Sequence, residues 1–182
     1  MFINDNQTNV QLNQTKEYIR DICRTQERTF KYAAKHNFNM EDFTKAFMYS
    51  DVTNKDMDGE YSPLCCSMAE EVLDAMADPN GKLTAQYFKE ELYKQGKELP
   101  SSKDIKFDYE KNDNDIDRAG WIGYIYRLLQ IRTHVSSKEI YDCLPYSKMK
   151  DLWIGGHTID DELVINDLKD LIEIKDKNEK IL

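Results

Sequence analysis

The sequence predicts an all-α protein: a single helical domain of about six or seven helices packed around one central apolar helix, Asp117–Thr133. Three observations predict it. The chain holds only 7 Gly and 4 Pro against 32% charged residues, which favours long helices over many short strands. Apolar residues recur at three- and four-residue spacing behind recognisable cap residues. Within Asp117–Thr133, Trp121, Tyr124, Ile125, Leu128, Leu129 and Ile131 cover about half of a helical cylinder at 100° per residue, so other helices must pack on it.

The segments around that helix read in order as follows. Residues 1–12 are rich in Asn and Gln and form a loose N-terminus; the domain spans 13–175, and 176–182 is a charged C-terminal tail. A first helix starts near Asn13 or Thr15 and ends at Lys35, with Tyr18, Ile19, Ile22, Gln26, Phe30 and Ala33 on one face. Asn39 caps a second, with Phe43, Ala46 and Phe47 inward. Asp51–Tyr61 reads as a polar loop. Ser62-Pro63 opens a third helix through Leu64, Met68, Val72, Leu73 and Met76. After the turn Asp78-Pro-Asn-Gly81, Thr84 caps a fourth, with Leu83 stapled to Phe88. Ile105, Phe107 and Tyr109 alternate, which suits a short strand or an extended segment near 105–109, and an acidic loop leads into the central helix. Ser136 and Glu139 form a capping box, and that helix stops at Leu144 before Pro145. A further turn or two covers Ser147–Trp153, Gly155-Gly156 breaks it, and Thr158 caps a last helix through Leu163, Val164, Leu168, Leu171 and Ile172.

The totals narrow the function classes. A chain of 182 residues can bury roughly 70% of its unfolded surface, so its core needs no disulfide or metal. The net charge of −9 argues against general affinity for nucleic acid or anionic membrane. None of Cys23, Cys65, Cys66 and Cys143 forms a C-x-x-C pair, and adjacent cysteines make a poor disulfide, so a reduced cytoplasmic compartment is expected. The N-terminus M-F-I-N-D-N-Q-T-N lacks the basic start and apolar core of a signal peptide. No run approaches the roughly 20 apolar residues of a membrane span.

Chemistry-bearing motifs are sparse. Asn54, Asp56, Asp58 and Gly59 match the opening of a calcium loop, but its closing glutamate is replaced by Cys65, so an Asx-rich turn is the better reading. Asp113, Asp115 and Asp117 repeat that spacing with Arg118 where the glycine should be. His36, His134 and His157 lie in separate segments with no second ligand at metal spacing, so neither metal nor cofactor is expected. Phosphate-binding and nucleophile-elbow glycine motifs are lacking.

Two basic features stand out. Lys16, Arg20, Arg24, Arg28, Lys31 and Lys35 make a ridge along the first helix, six cations against Glu17, Asp21 and Glu27. It is either a solvated face or a docking face, with Arg20, Arg24, Arg28 and Lys31 as its contacts. No aromatic residue interleaves the ridge, which favours a protein partner over nucleic acid. The second feature is Arg127, Arg132 and His134. Arg127 lies beside Ala119 and Gly123, small residues that allow close approach of a second helix or a ligand. Close helix packing would bury Arg127 against a carboxylate, with Asp160, Asp161 and Glu162 available. The alternative is an anion pocket of Arg127, Arg132, His134 and His157 at the N-terminus of the Ser136 helix, serving an enzyme or small-ligand binder on an anionic substrate.

The runs G-W-I-G-Y-I-Y-R, S-S-K-E-I-Y and G-G-H-T-I-D-D-E-L-V-I-N-D-L, in the last third of the chain, resemble a group of uncharacterised small helical bacterial proteins of toxin–antitoxin-type or mobile gene neighbourhoods. The resemblance contains no catalytic motif and transfers no site residue; it implies binding to a partner. Together these readings give a cytosolic protein-interaction or regulatory module, antitoxin-like, with the partner unnamed.

Overall fold

The computed structural model describes residues 5–59, 63–77 and 113–179. These residues are 84% helical and contain no strand. Asp5–Lys35 forms α1, Met40–Tyr49 α2, Ala69–Ala77 α3, Asp113–Thr133 α4, Ser137–Cys143 α5, Tyr146–Gly156 α6 and Asp161–Glu179 α7. A π-helical turn, Val52–Met57, and a 3₁₀ turn, Pro63–Cys66, link α2 to α3. The proposed helix after Leu83-Thr84 and the Ile105–Tyr109 segment lie outside the described residues.

The organising contact is α1 against α4. The helices run antiparallel: Lys31 pairs with Asp117, Phe30 lies at Gly123, and Gln26 reaches Arg127. Gly123 permits the approach. A Cβ there would meet the Phe30 ring at 2.7 Å and the Gln26 carbonyl oxygen at 2.9 Å. The small-residue side of α4 therefore faces another helix. Both sides of α4 are covered, with Ala119, Ile122, Ile125, Tyr126 and Leu129 all at 0% exposure. Phe30 continues the core into α2, meeting Phe43 and Phe47 edge-on at 5.3 Å each, geometry worth about 0.5–1.5 kcal/mol per pair beyond burial. The Tyr126 hydroxyl donates to the Leu144 carbonyl at 2.5 Å, tying α4 to the end of α5.

Local signals placed two of the helix starts. The Asn39 side chain accepts from the Glu41 and Asp42 amides. The Ser136–Glu139 capping box is present at the start of α5. Several starts differ. α1 begins at Asp5 rather than near Asn13, and α4 at Asp113, so Asp113–Asp117 of the segment read as an acidic loop is the first turn of the central helix. Asp51–Tyr61 is not simply a polar loop: Val52, Thr53 and Met57 of its π turn are buried. Pro63–Cys66 is a 3₁₀ turn rather than the start of the third helix, and α3 follows only at Ala69, with the Met68 amide donating to Glu71; Ser62 lies outside the described residues. Helix α6 runs through Gly155 to Gly156. The cap of α7 is Asp160, which accepts from the Glu162 amide; the Thr158 hydroxyl instead donates back to the Gly155 carbonyl. A carboxylate beside the start of a helix wins there because it accepts amide hydrogens and carries favourable charge. Val164, Leu168 and Ile172 are buried on α7, whereas Leu163 is 58% exposed.

Candidate functional site

Arg127 is the largest fully buried side chain among the described residues. Burying a guanidinium demands nearly complete satisfaction of its donors. Its Nε donates to Gln26 Oε1 at 2.8 Å. Its Nη1 donates to Asp58 Oδ1 at 2.7 Å, the Met57 carbonyl at 3.0 Å and Gln130 Oε1 at 3.2 Å. Nη2 makes no hydrogen bond among the described residues. Asp58 is itself occupied on its far side: its carboxylate accepts from the Ser137 amide at 2.8 Å and the Ser137 hydroxyl at 2.7 Å. One ion pair thus joins α1, the segment after the π turn, α4 and the start of α5. The carboxylate is Asp58, not Asp160, Asp161 or Glu162. Every oxygen of this cluster serves an internal donor, so it is built to hold the fold.

The other expected anion contacts have surroundings of their own. Arg132 is held by Glu162 on α7, with Nε donating at 3.1 Å. His134 is exposed, at φ 57° just beyond α4, and its amide donates to the Gln130 carbonyl. The amide of Ser137, at the start of α5, is taken by Asp58. Of the four, His157 lines a groove.

That groove has a volume of about 590 Å3 and runs between α1, α4, the end of α6 and the start of α7. Helix α1 contributes Arg20, Arg24, Glu27 and Lys31; α4 contributes Asp117, Trp121 and Tyr124; Trp153, His157 and Asp161 close it. Its aromatic wall is ordered by short-range contacts. The His157 ring stacks on Trp153 at 4.1 Å and 14°. His157 Nδ1 lies 2.6 Å from the Trp153 carbonyl, which can only accept, so Nδ1 carries the proton and Nε2 is left to accept in the neutral ring. Gly156 lets the end of α6 lie against Trp121, since a Cβ there would sit 2.9 Å from the indole. Trp121 Nε1 is buried without a hydrogen-bond partner among the described residues.

The charges of the groove divide into two sets. Lys31 spans Glu27 at 2.9 Å and Asp117 at 3.4 Å and is committed internally. Arg20 and Arg24 are exposed and enter no ion pair among the described residues. Arg28, the remaining ridge contact, donates to the Thr25 hydroxyl at 3.0 Å. Burial, then the neighbouring Asp160, Glu162 and Glu27, raise the Asp161 carboxyl above its ordinary value. Burial, aided by Cys23, pushes the Tyr124 hydroxyl up to about 12, so it is a neutral donor at pH 7. The Cys23 thiol is likewise driven up to about 12, chiefly by burial, which removes the thiolate that nucleophilic chemistry needs.

Sequence reasoning missed Asp58 as the partner of Arg127 and missed the grouping of Trp121, Tyr124, Trp153 and Asp161 with the ridge. No local pattern carries either, because the partners lie on different elements. Among the described residues, no group of three or more His, Cys, Asp or Glu could hold a metal ion, and no helix is long and apolar enough to cross a membrane. No family model, curated protein or solved structure matches this chain. The fold and site define an all-α protein with a buried Arg127–Asp58 cluster and a mixed basic–aromatic groove.

Proposed function

We propose that this protein is an interaction or regulatory module of the cytoplasm that docks an acidic segment of a protein partner along the exposed face of α1. The observation that carries the reading is the pair Arg20 and Arg24: exposed and engaged in no ion pair among the described residues, in a chain of net charge −9. In so acidic a protein, cations left facing solvent are available to an outside carboxylate, and they add association rate and specificity more than raw affinity. Exposed apolar residues also occur at the end of α6 and the start of α7. Ile154 is 76% exposed, Leu163 58% and Ile159 47%, close in the chain to groove-lining His157 and Asp161. An apolar centre beside a charged rim is the usual anatomy of an interface. The antitoxin-like version of this reading rests on the resemblance of the last third of the chain.

The test has two stages. Proteins retained by the tagged chain are identified from its host, and the affinity of each is then measured against wild type, R20E/R24E/R28E and I159S/L163S. A genuine partner loses at least about tenfold in affinity to the charge-reversed ridge and weakens further at high salt. If every partner binds the reversed ridge as it binds wild type, the ridge is not the docking face.

A further inference from the structure

We infer that the groove between α1, α4 and α6 binds a nucleotide, its base among the rings of Trp121, Tyr124 and His157 and its phosphate on Arg20 and Arg24. The ridge by itself presents cations without aromatics. The fold supplies the aromatics from elsewhere: α4 brings Trp121 and Tyr124 against it, and the end of α6 brings the stacked Trp153–His157 pair. Flat π surfaces accept any base by stacking. Guanidinium groups meet phosphate oxygens through paired N–H donors. The lining offers base-edge partners as well, since Asp161 accepts from exocyclic amino groups and Tyr124 donates to ring nitrogens or carbonyls. The three carboxylates do not repel the phosphate equally, because Lys31 already bridges Glu27 and Asp117. A volume of about 590 Å3 lies within the range of small-ligand sites. A bare anion would leave the rings unused, and an apolar ligand would leave both arginines unmatched. The inference goes beyond the docking reading because His157 and Trp153 are not part of the ridge.

The molecule carries its own reporter. The chain has 2 Trp, and Trp121 and Trp153 both line the groove. The full chain is titrated with AMP, GMP, CMP and UMP in turn, with inorganic phosphate, and with a single-stranded oligonucleotide, following tryptophan fluorescence and confirming by calorimetry. At least one monophosphate should quench saturably with a Kd below about 1 mM. R20A/R24A and H157A should each weaken that binding at least about tenfold, while circular dichroism confirms their folding. Should R20A/R24A fail to fold, R20K/R24K, which keeps the charge and loses the guanidinium fork, replaces it with the same expectation. An oligonucleotide that binds more tightly per site than the monomer identifies a single strand as the source of the nucleotide, and one that binds no more tightly identifies the free nucleotide. The inference fails if no monophosphate or oligonucleotide quenches saturably, if phosphate alone binds as tightly as the nucleotides, or if the arginine or histidine variants bind as wild type does. Loss of partner docking in R20E/R24E/R28E with H157A unaffected would leave the docking reading standing and overturn this one.

Discussion

Arg127 and the pair Arg20/Arg24 are the same side chain in opposite conditions. Arg127 has 0% exposure and donates to Gln26, Asp58, Met57 and Gln130. Arg20 and Arg24, on the neighbouring helix, face solvent beside a groove and enter no ion pair among the described residues. Desolvation explains the difference in what each can do. A buried guanidinium must find its partners inside the protein or destabilise it, and one in water needs none. The inner arginine therefore specifies the fold, and the outer pair is left for recognition.

The sharpest way to break this contrast is at the inner ion pair. Asp58→Ala would strand the Arg127 charge and remove the acceptor of the Ser137 amide and hydroxyl. It should cost roughly 3–5 kcal/mol in urea unfolding; a loss below about 1 kcal/mol would mean that the pair behaves like a surface salt bridge. Next comes the helix contact that delivers Arg127 to its partners. Gly123→Ala drives a methyl into Phe30 and the Gln26 carbonyl. Overpacking of roughly 1–3 kcal/mol should exceed the gain of about 1 kcal/mol from better helix propensity, so the melting temperature falls; a rise would show that α1 can move aside freely. R20A/R24A, in contrast, should change stability by no more than about 0.5 kcal/mol, and a larger loss would place these arginines in the framework too.

The smallest effect is at Asp161, and its sign is fixed by burial. A carboxyl whose folded pKa is raised favours the protonated folded state. Its stabilising influence is therefore complete below the unfolded value near 3.8 and is lost as pH rises through the folded value. Asp161→Asn should raise the melting temperature slightly at pH 7 and not at pH 3. Equal effects at both pH values would mean that ionisation is not what the groove resists.

Much of the framework was legible in sequence. The all-α class, the Asn39 cap, the Ser136–Glu139 box and the Leu144 stop before Pro145 each depend on residues within a turn or so of one another. The small side of the central helix, with Ala119, Gly123 and Arg127, was legible as a place of close approach. Asp58 was not legible as its partner: its own neighbourhood reads as an Asx-rich turn, and nothing there points to an arginine 69 residues away. Nor did the start of α7 announce itself, because Thr158 and Asp160 are both residue types that cap helices, and the Thr158 hydroxyl is taken by the Gly155 carbonyl.

The sequence by itself determined the all-α class, the caps at Asn39 and Ser136 and the segregation of positive charge on α1, because periodicity and capping are properties of residues three and four apart. Only the tertiary structure decided which arginine is sealed in and which is left open. It brings Gln26 to Arg127 across 101 residues and sets Trp153 of α6 and the adjoining His157 beside Arg20 and Arg24 of α1. Such choices follow from how helices pack, and packing is set by shape and desolvation over the whole core rather than by any local run of residues.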